Sequence, residues 1–259
     1  MSVDLRPPLT HLPRRSLLVE TLLVLGVSLG ASAIWSALSL TRKLTAPGGL
    51  AAQTTSMNTS RAPDQPWIDL AYQLVGIGLA LVPVVLALHL LGREVARPWR
   101  LLGLDRTQPV RDLAQGAMLA AVIGIPGLGL YLLARELGFN TTVAPANLPS
   151  VWWAVPVLIL AAVQNSVVEE VIAVGYLFTP WTQAGWSVWT VILTSAVLRG
   201  SYHLYQGFGG FVGNIAMGVI LGWFYTRTRR VMPLVVAHTL LDVVAFVGYA
   251  ALAGRVGWL

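Results

Sequence analysis

The chain has 259 residues, of which 56% are hydrophobic and only 11% charged, and its mean hydropathy is +0.69. A soluble domain carries about 25% charged residues, so the composition excludes an ordinary soluble enzyme and a disordered chain alike. The net charge of +6 rests on sixteen arginines and one lysine, Lys43. These sit between apolar runs, where they set membrane topology rather than contact nucleic acid, and no nucleic-acid partner is expected. The absence of cysteine excludes disulfides, thiolate metal sites and a cysteine nucleophile.

Apolar runs of 18 or more residues recur along the chain and predict an all-α, polytopic membrane protein. The spans are expected at residues 17–40, 67–91, 113–133, 151–178, 188–204, 211–225 and 232–252, seven in all, with an eighth allowed. The first run is longer than a signal-peptide core of about 7–15 residues, so it reads as a retained span. A Thr/Ser/Ala/Pro-rich connector at 41–66 reads as flexible, 93–112 as a polar connector and 140–150 as a turn. Residues 1–150 thus form an N-terminal set of helices and loops, 151–249 a core, and 250–259 a short tail. The connectors after even-numbered spans, with the N-terminus, carry eleven Lys and Arg against five on the other side. That bias places the N-terminus in the cytoplasm, with membrane lipid as the surrounding partner.

Ionisable groups inside the apolar runs are the informative residues. An Asp or Arg at a helix centre costs roughly 2.5–3.5 kcal/mol on insertion scales, and such groups face the bundle interior and pair. Glu20 lies a turn into the first span and reads as an interfacial carboxylate near Arg14 and Arg15; His89 reads as an interfacial histidine beside Arg93. The other six fall between 169 and 242. Glu169 and Glu170 are adjacent, roughly 100° apart on a helix, and so serve different roles. Arg199 with His203, and His238 with Asp242, are spaced i,i+4 and share a face. Asn165, Asn214, Gln164, Tyr202, Tyr205 and Gln206 are softer polar signals nearby.

Two chemistries suit these groups. A divalent metal, zinc foremost, could be held by Glu169, His203 and His238 with a position open for water. Alternatively a glutamate activates water directly and a histidine with Asp242 stabilises the oxyanion. Both are hydrolytic. The nucleophile-elbow motif G-x-S-x-G and the zinc motif H-E-x-x-H are absent. Each pair also has a structural reading: Glu169 and Glu170 as intramembrane partners of Arg199, and His238 with Asp242 as an interhelical clasp.

The order and spacing of these residues resemble the CAAX-protease and bacteriocin-processing (CPBP, or Abi) family of intramembrane proteases. Its pattern is Glu-Glu followed by three residues and Arg, then Phe-x-x-x-His, then His-x-x-x-Asn or Asp. Glu169-Glu170 with Gly175-Tyr176-Leu177, then His203, then His238 and Asp242 match it in order, across roughly 151–249. The resemblance implies a helical bundle of the bacterial cytoplasmic membrane with a polar cavity, and an endopeptidase acting on a membrane-associated protein or peptide. It implies that Glu169 and His203 activate water while His238 and Asp242 hold the oxyanion; the metal stays open. Three positions depart from the pattern. The family arginine falls on Val174, the family phenylalanine on Arg199, and Asp242 stands where Asn is commoner. The first two departures predict that the positive charge has moved to the neighbouring helix, with Arg199 pairing Glu170 across the interface. A proton- or cation-coupled transporter and a non-catalytic scaffold or immunity protein are the alternatives. There is also a geometric tension. At 1.5 Å per residue, His203 lies about 24 Å and His238 about 10 Å from the basic side. They meet only if a helix tilts, kinks or turns back, which Gly200, Gly207, Gly209 and Gly210 would permit.

Overall fold

A computed structural model describes residues 12–252; Arg6, Arg255 and residues 253–259 lie outside the described residues. The chain is nearly all helix. Helices α1 (Arg14–Gly26) and α2 (Leu29–Thr45) meet at a 53° bend. The bend has a local cause: the Ser28 hydroxyl donates to the Val24 carbonyl at 2.5 Å and competes with the helical ladder. Helices α3 (Pro66–Ala80) and α4 (Val82–Gly92) follow, broken where Pro83 opens the second of them. A short α5 (Pro98–Leu101) precedes the long α6 (Pro109–Glu136). Next come α7 (Ala154–Glu169), a π-helical segment (Glu170–Tyr176), α8 (Leu177–Gln183), α9 (Val188–Tyr202), α10 (Phe208–Thr228) and α11 (Met232–Leu252).

Among the described residues five stretches are long and apolar enough to cross a membrane: Pro66–Gly92, Pro109–Glu136, Ala154–Gln183, Phe208–Thr228 and Met232–Leu252. The bent α1–α2 pair makes a sixth. The described residues thus give five spans, or six with the bent pair, where the sequence leads one to expect seven. The difference is α9, whose 15 residues, about 22 Å of helix, fall short of the bilayer core of about 30 Å. It ends in a single 3-10 turn (Leu204–Gln206), and the chain reverses at Gly207, whose φ is +116°. A Cβ at Gly207 would lie 2.6 Å from the Phe139 carbonyl oxygen, so only glycine fits this reversal. Gly200 brings α9 against α10: a Cβ there would lie 2.7 Å from Ile215 and 2.8 Å from the Phe211 carbonyl oxygen.

The connector expected to be flexible is instead built. Strand β1 (Thr54–Ser56) pairs in parallel with β2 (Thr142–Ala144), in register Thr54 to Thr142. Both strands lie at the end of the bundle that also holds the 204–207 turn, through a bridge between Asn140 and Gly207. At the opposite end the 100s connector meets the start of α11, where the Val231 amide donates to the Leu102 carbonyl at 2.8 Å. Glu20 finds its cation on α4's end rather than at Arg14–Arg15: Arg93 donates to it at 2.5 Å.

The core surrounds the π segment, all seven residues of which are buried. Pro180 lacks the N–H that the Tyr176 carbonyl would accept from in a regular helix, which loosens the ladder here. The Ser195 hydroxyl of α9 donates to the Ala173 carbonyl at 2.6 Å, engaging a backbone acceptor within the widened turn. Gly175 sits between Leu102 and Val231, where a Cβ would meet methyls at 3.1 and 3.2 Å.

Candidate active site

The six ionisable groups read from the sequence converge. Glu169 closes α7, Glu170 opens the π segment, Arg199 lies in the last turn of α9 and His203 caps it, and His238 and Asp242 lie on the N-terminal half and at the middle of α11. Glu169, His203, His238 and Asp242 line one cavity of about 1380 Å³, together with Asn165, Tyr202 and Gln206. The depth mismatch between the two histidines is absorbed by the short α9 and the reversal after it.

The two glutamates part ways as their helical phase requires. Glu170 is fully buried and points into the protein. Its Oε1 accepts from Arg199 Nη2 at 2.6 Å and from His238 Nδ1 at 2.7 Å. Val174 is buried among apolar neighbours and carries no charge to Glu170. Arg199, itself 0% exposed, supplies that charge from the adjacent helix.

Glu169 faces the cavity. Its Oε2 accepts from the Tyr202 hydroxyl at 2.8 Å and from Arg199 Nη1 at 3.3 Å, which pins one oxygen and leaves the other toward open space. His203 Nδ1 lies 3.0 Å from the Arg199 carbonyl oxygen. A carbonyl only accepts, so Nδ1 carries the proton and Nε2 of the neutral ring keeps its lone pair. By the same logic His238 donates from Nδ1 to Glu170, and its Nε2 lies 3.7 Å from Asp242 Oδ1. Asn165 Nδ2 donates to Asp242 Oδ2 at 3.4 Å.

The turn that carries His203 is fixed from outside α9. Lys43 Nζ is buried and donates to the Tyr205 carbonyl at 2.5 Å and to Thr55 Oγ1 at 2.6 Å. The Thr55 and Thr141 hydroxyls share a hydrogen bond of 2.6 Å, and Ser36 Oγ accepts from the Tyr205 amide at 2.7 Å. Sequence reading placed Lys43 in a flexible loop. Nothing local marks it as buried, because its acceptors come from residues 55 and 205. Tyr202 and Asn165 were legible only as polar residues on the right helices.

Among the described residues no three His, Asp or Glu side chains converge so as to hold a metal ion. Glu169 is bonded to a guanidinium and a phenol, and that nearby positive charge opposes a dication. Glu169, His203 and His238 therefore do not fit a zinc site as arranged.

No curated protein and no solved structure matches the chain. Residues 151–244, which carry Glu169, Glu170, Arg199, His203, His238 and Asp242, match the family model "Type II CAAX prenyl endopeptidase Rce1-like", in line with the resemblance to the CPBP/CAAX proteases that the sequence shows over the same stretch.

Proposed function

We propose that the protein is an intramembrane endopeptidase in which Glu169, with no metal, activates water against a peptide bond of a membrane-associated chain. The observation that carries this reading is the asymmetry of Glu169: one oxygen is held by Tyr202 and Arg199, and the other faces the cavity that His203 also lines. A base so oriented is within the general-base range of roughly 10²–10⁴-fold in rate. His203 Nε2 accepts a hydrogen bond from the second O–H of the water and orients it. Glu169 takes one proton as the water oxygen attacks the carbonyl carbon. His238, as the imidazolium, donates from Nδ1 to Glu170 and from Nε2 to the oxyanion. Asn165 supplies the amide donor that Asp242, an acceptor when ionised, does not. Collapse breaks the C–N bond, the proton on Glu169 passes to the leaving amine, and the proton left on the new carboxyl passes to His203 Nε2, giving a carboxylate and an amine.

The test is cleavage in proteoliposomes loaded with host membrane proteins, run in ¹⁸O water and read as new N-termini and labelled carboxylates. Wild type should generate fragments that Glu169→Gln makes at least about 100-fold more slowly, with the same melting temperature. Chelators should leave the wild-type rate unchanged. Identical fragment profiles for wild type and Glu169→Gln would sink the protease reading. Loss of activity in chelator, restored by zinc, would overturn the metal-free mechanism alone.

A further inference from the structure

We infer that the catalytic cavity opens on the extracytoplasmic face of the membrane, and that its substrate is a polypeptide presented there, exported or inserted, rather than one modified and delivered in the cytosol. The two ends of the bundle are defined by contacts. One end joins β1, β2 and the turn after His203, through the strand pairing and the Lys43 bonds. The other joins the 93–108 connector to the start of α11 and to α8, where Gln183 donates to Glu94 at 3.1 Å.

Basic residues are divided unequally between these ends. The second end carries ten arginines: two at 14–15, five between 93 and 111, and three at 227–230. The strand end carries Arg42, Lys43, Arg61 and Arg135, and Lys43 is buried. All connectors are short, which is where the bias in Lys and Arg fixes orientation, and acidic residues count little. The ten-arginine end is the cytoplasmic one.

The cavity belongs to the other end. From Glu169 and His238 in mid-bundle it runs to Met57 and Asn58 beyond β1 and to Val143 and Pro145 at β2. Among the described residues, none in the connectors 93–108, 184–187 or 229–231 lines it. Its walls below the strands are apolar, from Leu79, Ala120, Ile125 and Leu128, so they suit an apolar segment beside the bond to be cut. The substrate half of the inference rests on the protease reading; the orientation half stands without it.

The chain has no cysteine, so single cysteines report their surroundings without background. Ser32→Cys places a thiol in the cavity, Ser56→Cys one at the strand end, and Arg106→Cys one at the arginine-rich end. A charged, membrane-impermeant maleimide added to intact cells should label Ser56→Cys and Ser32→Cys as fully as after permeabilisation, and Arg106→Cys only after it. Labelling of Arg106→Cys but not Ser56→Cys from outside would overturn the orientation. Labelling of Ser56→Cys with Ser32→Cys blocked until the cytoplasmic side is opened would overturn the position of the mouth. Repeating the series in Glu169→Gln protein, where the pattern should be unchanged, keeps a failure of catalysis distinct from a failure of topology.

Discussion

Two arginines in this protein each hold two carboxylates, and they differ in what they leave unbonded. Arg230 closes its set. Nε and Nη2 take both oxygens of Asp112 at 2.8 and 2.7 Å, Nη2 also reaches Asp105 at 2.9 Å, and Nη1 reaches the Thr107 hydroxyl at 3.2 Å. It fastens the 100s connector to the α10–α11 turn and lines no part of the cavity. Arg199 leaves its set open: its Nε and Glu170 Oε2 are buried without a partner, and Glu169 keeps an oxygen facing the cavity. A saturated cluster is a fastening. A cluster with unspent donors and acceptors, built at the cost of burying charge, is where chemistry has been kept available.

That contrast can be broken from either side. The largest effect is expected from Arg199→Met, which strands Glu170 in the core and should cost about 3–5 kcal/mol of stability. Glu170→Gln in the same chain should return much of it. An undiminished cost of Arg199→Met in the Glu170→Gln background, measured by denaturant unfolding in detergent, would refute the pairing. Arg230→Met should cost less, about 2–3 kcal/mol, with kcat/KM per folded molecule unchanged; a tenfold fall in rate would show that the fastening is more than that. Tyr202→Phe frees Glu169 Oε2 from one of its two donors. It should lower kcat about tenfold, equivalent to about 1.4 kcal/mol, with KM and melting temperature held. The smallest effect lies in acid. Hydrogen bonds from the Thr107 hydroxyl and amide, then from Arg230, hold the Asp105 carboxyl at about 2, against 3.8 unperturbed. The folded pKa is depressed, so the stabilisation is complete above about pH 4 and is lost as pH falls through about 2. Asp105→Asn should remove that part of the acid slope in unfolding titrations.

The sequence carried most of the site and less of its scaffold. The cost of charge in an apolar run singled out Glu169, Glu170, Arg199, His203, His238 and Asp242, and the Arg199–Glu170 pair followed from where charges were missing and surplus. Spans at 67–91, 113–133 and 232–252 were legible because their hydropathy is continuous and Pro or polar residues end them. The bend at Ser28 and the π segment were not, since each depends on which carbonyl a side chain or neighbouring helix takes up. Span 188–204 was overlong in the reading because apolar composition does not distinguish a crossing helix from one that stops inside. Lys43 and Thr55 were illegible for the same kind of reason: the carbonyl they share, that of Tyr205, lies 162 and 150 residues away.

The π segment has a consequence for how this chain tolerates insertions and deletions. An extra residue in one turn offsets the helical phase by about 100°, so the face that aims Glu169 and the face that seats Gly175 against Leu102 and Val231 are set independently. Deleting a single residue between 171 and 174 would let the segment close into a regular helix with α8 still presenting the same faces to its neighbours and Glu169 left where it is. In a helix enclosed on all sides, length is thus read modulo one turn, and this segment is the joint at which two incompatible phases are spliced.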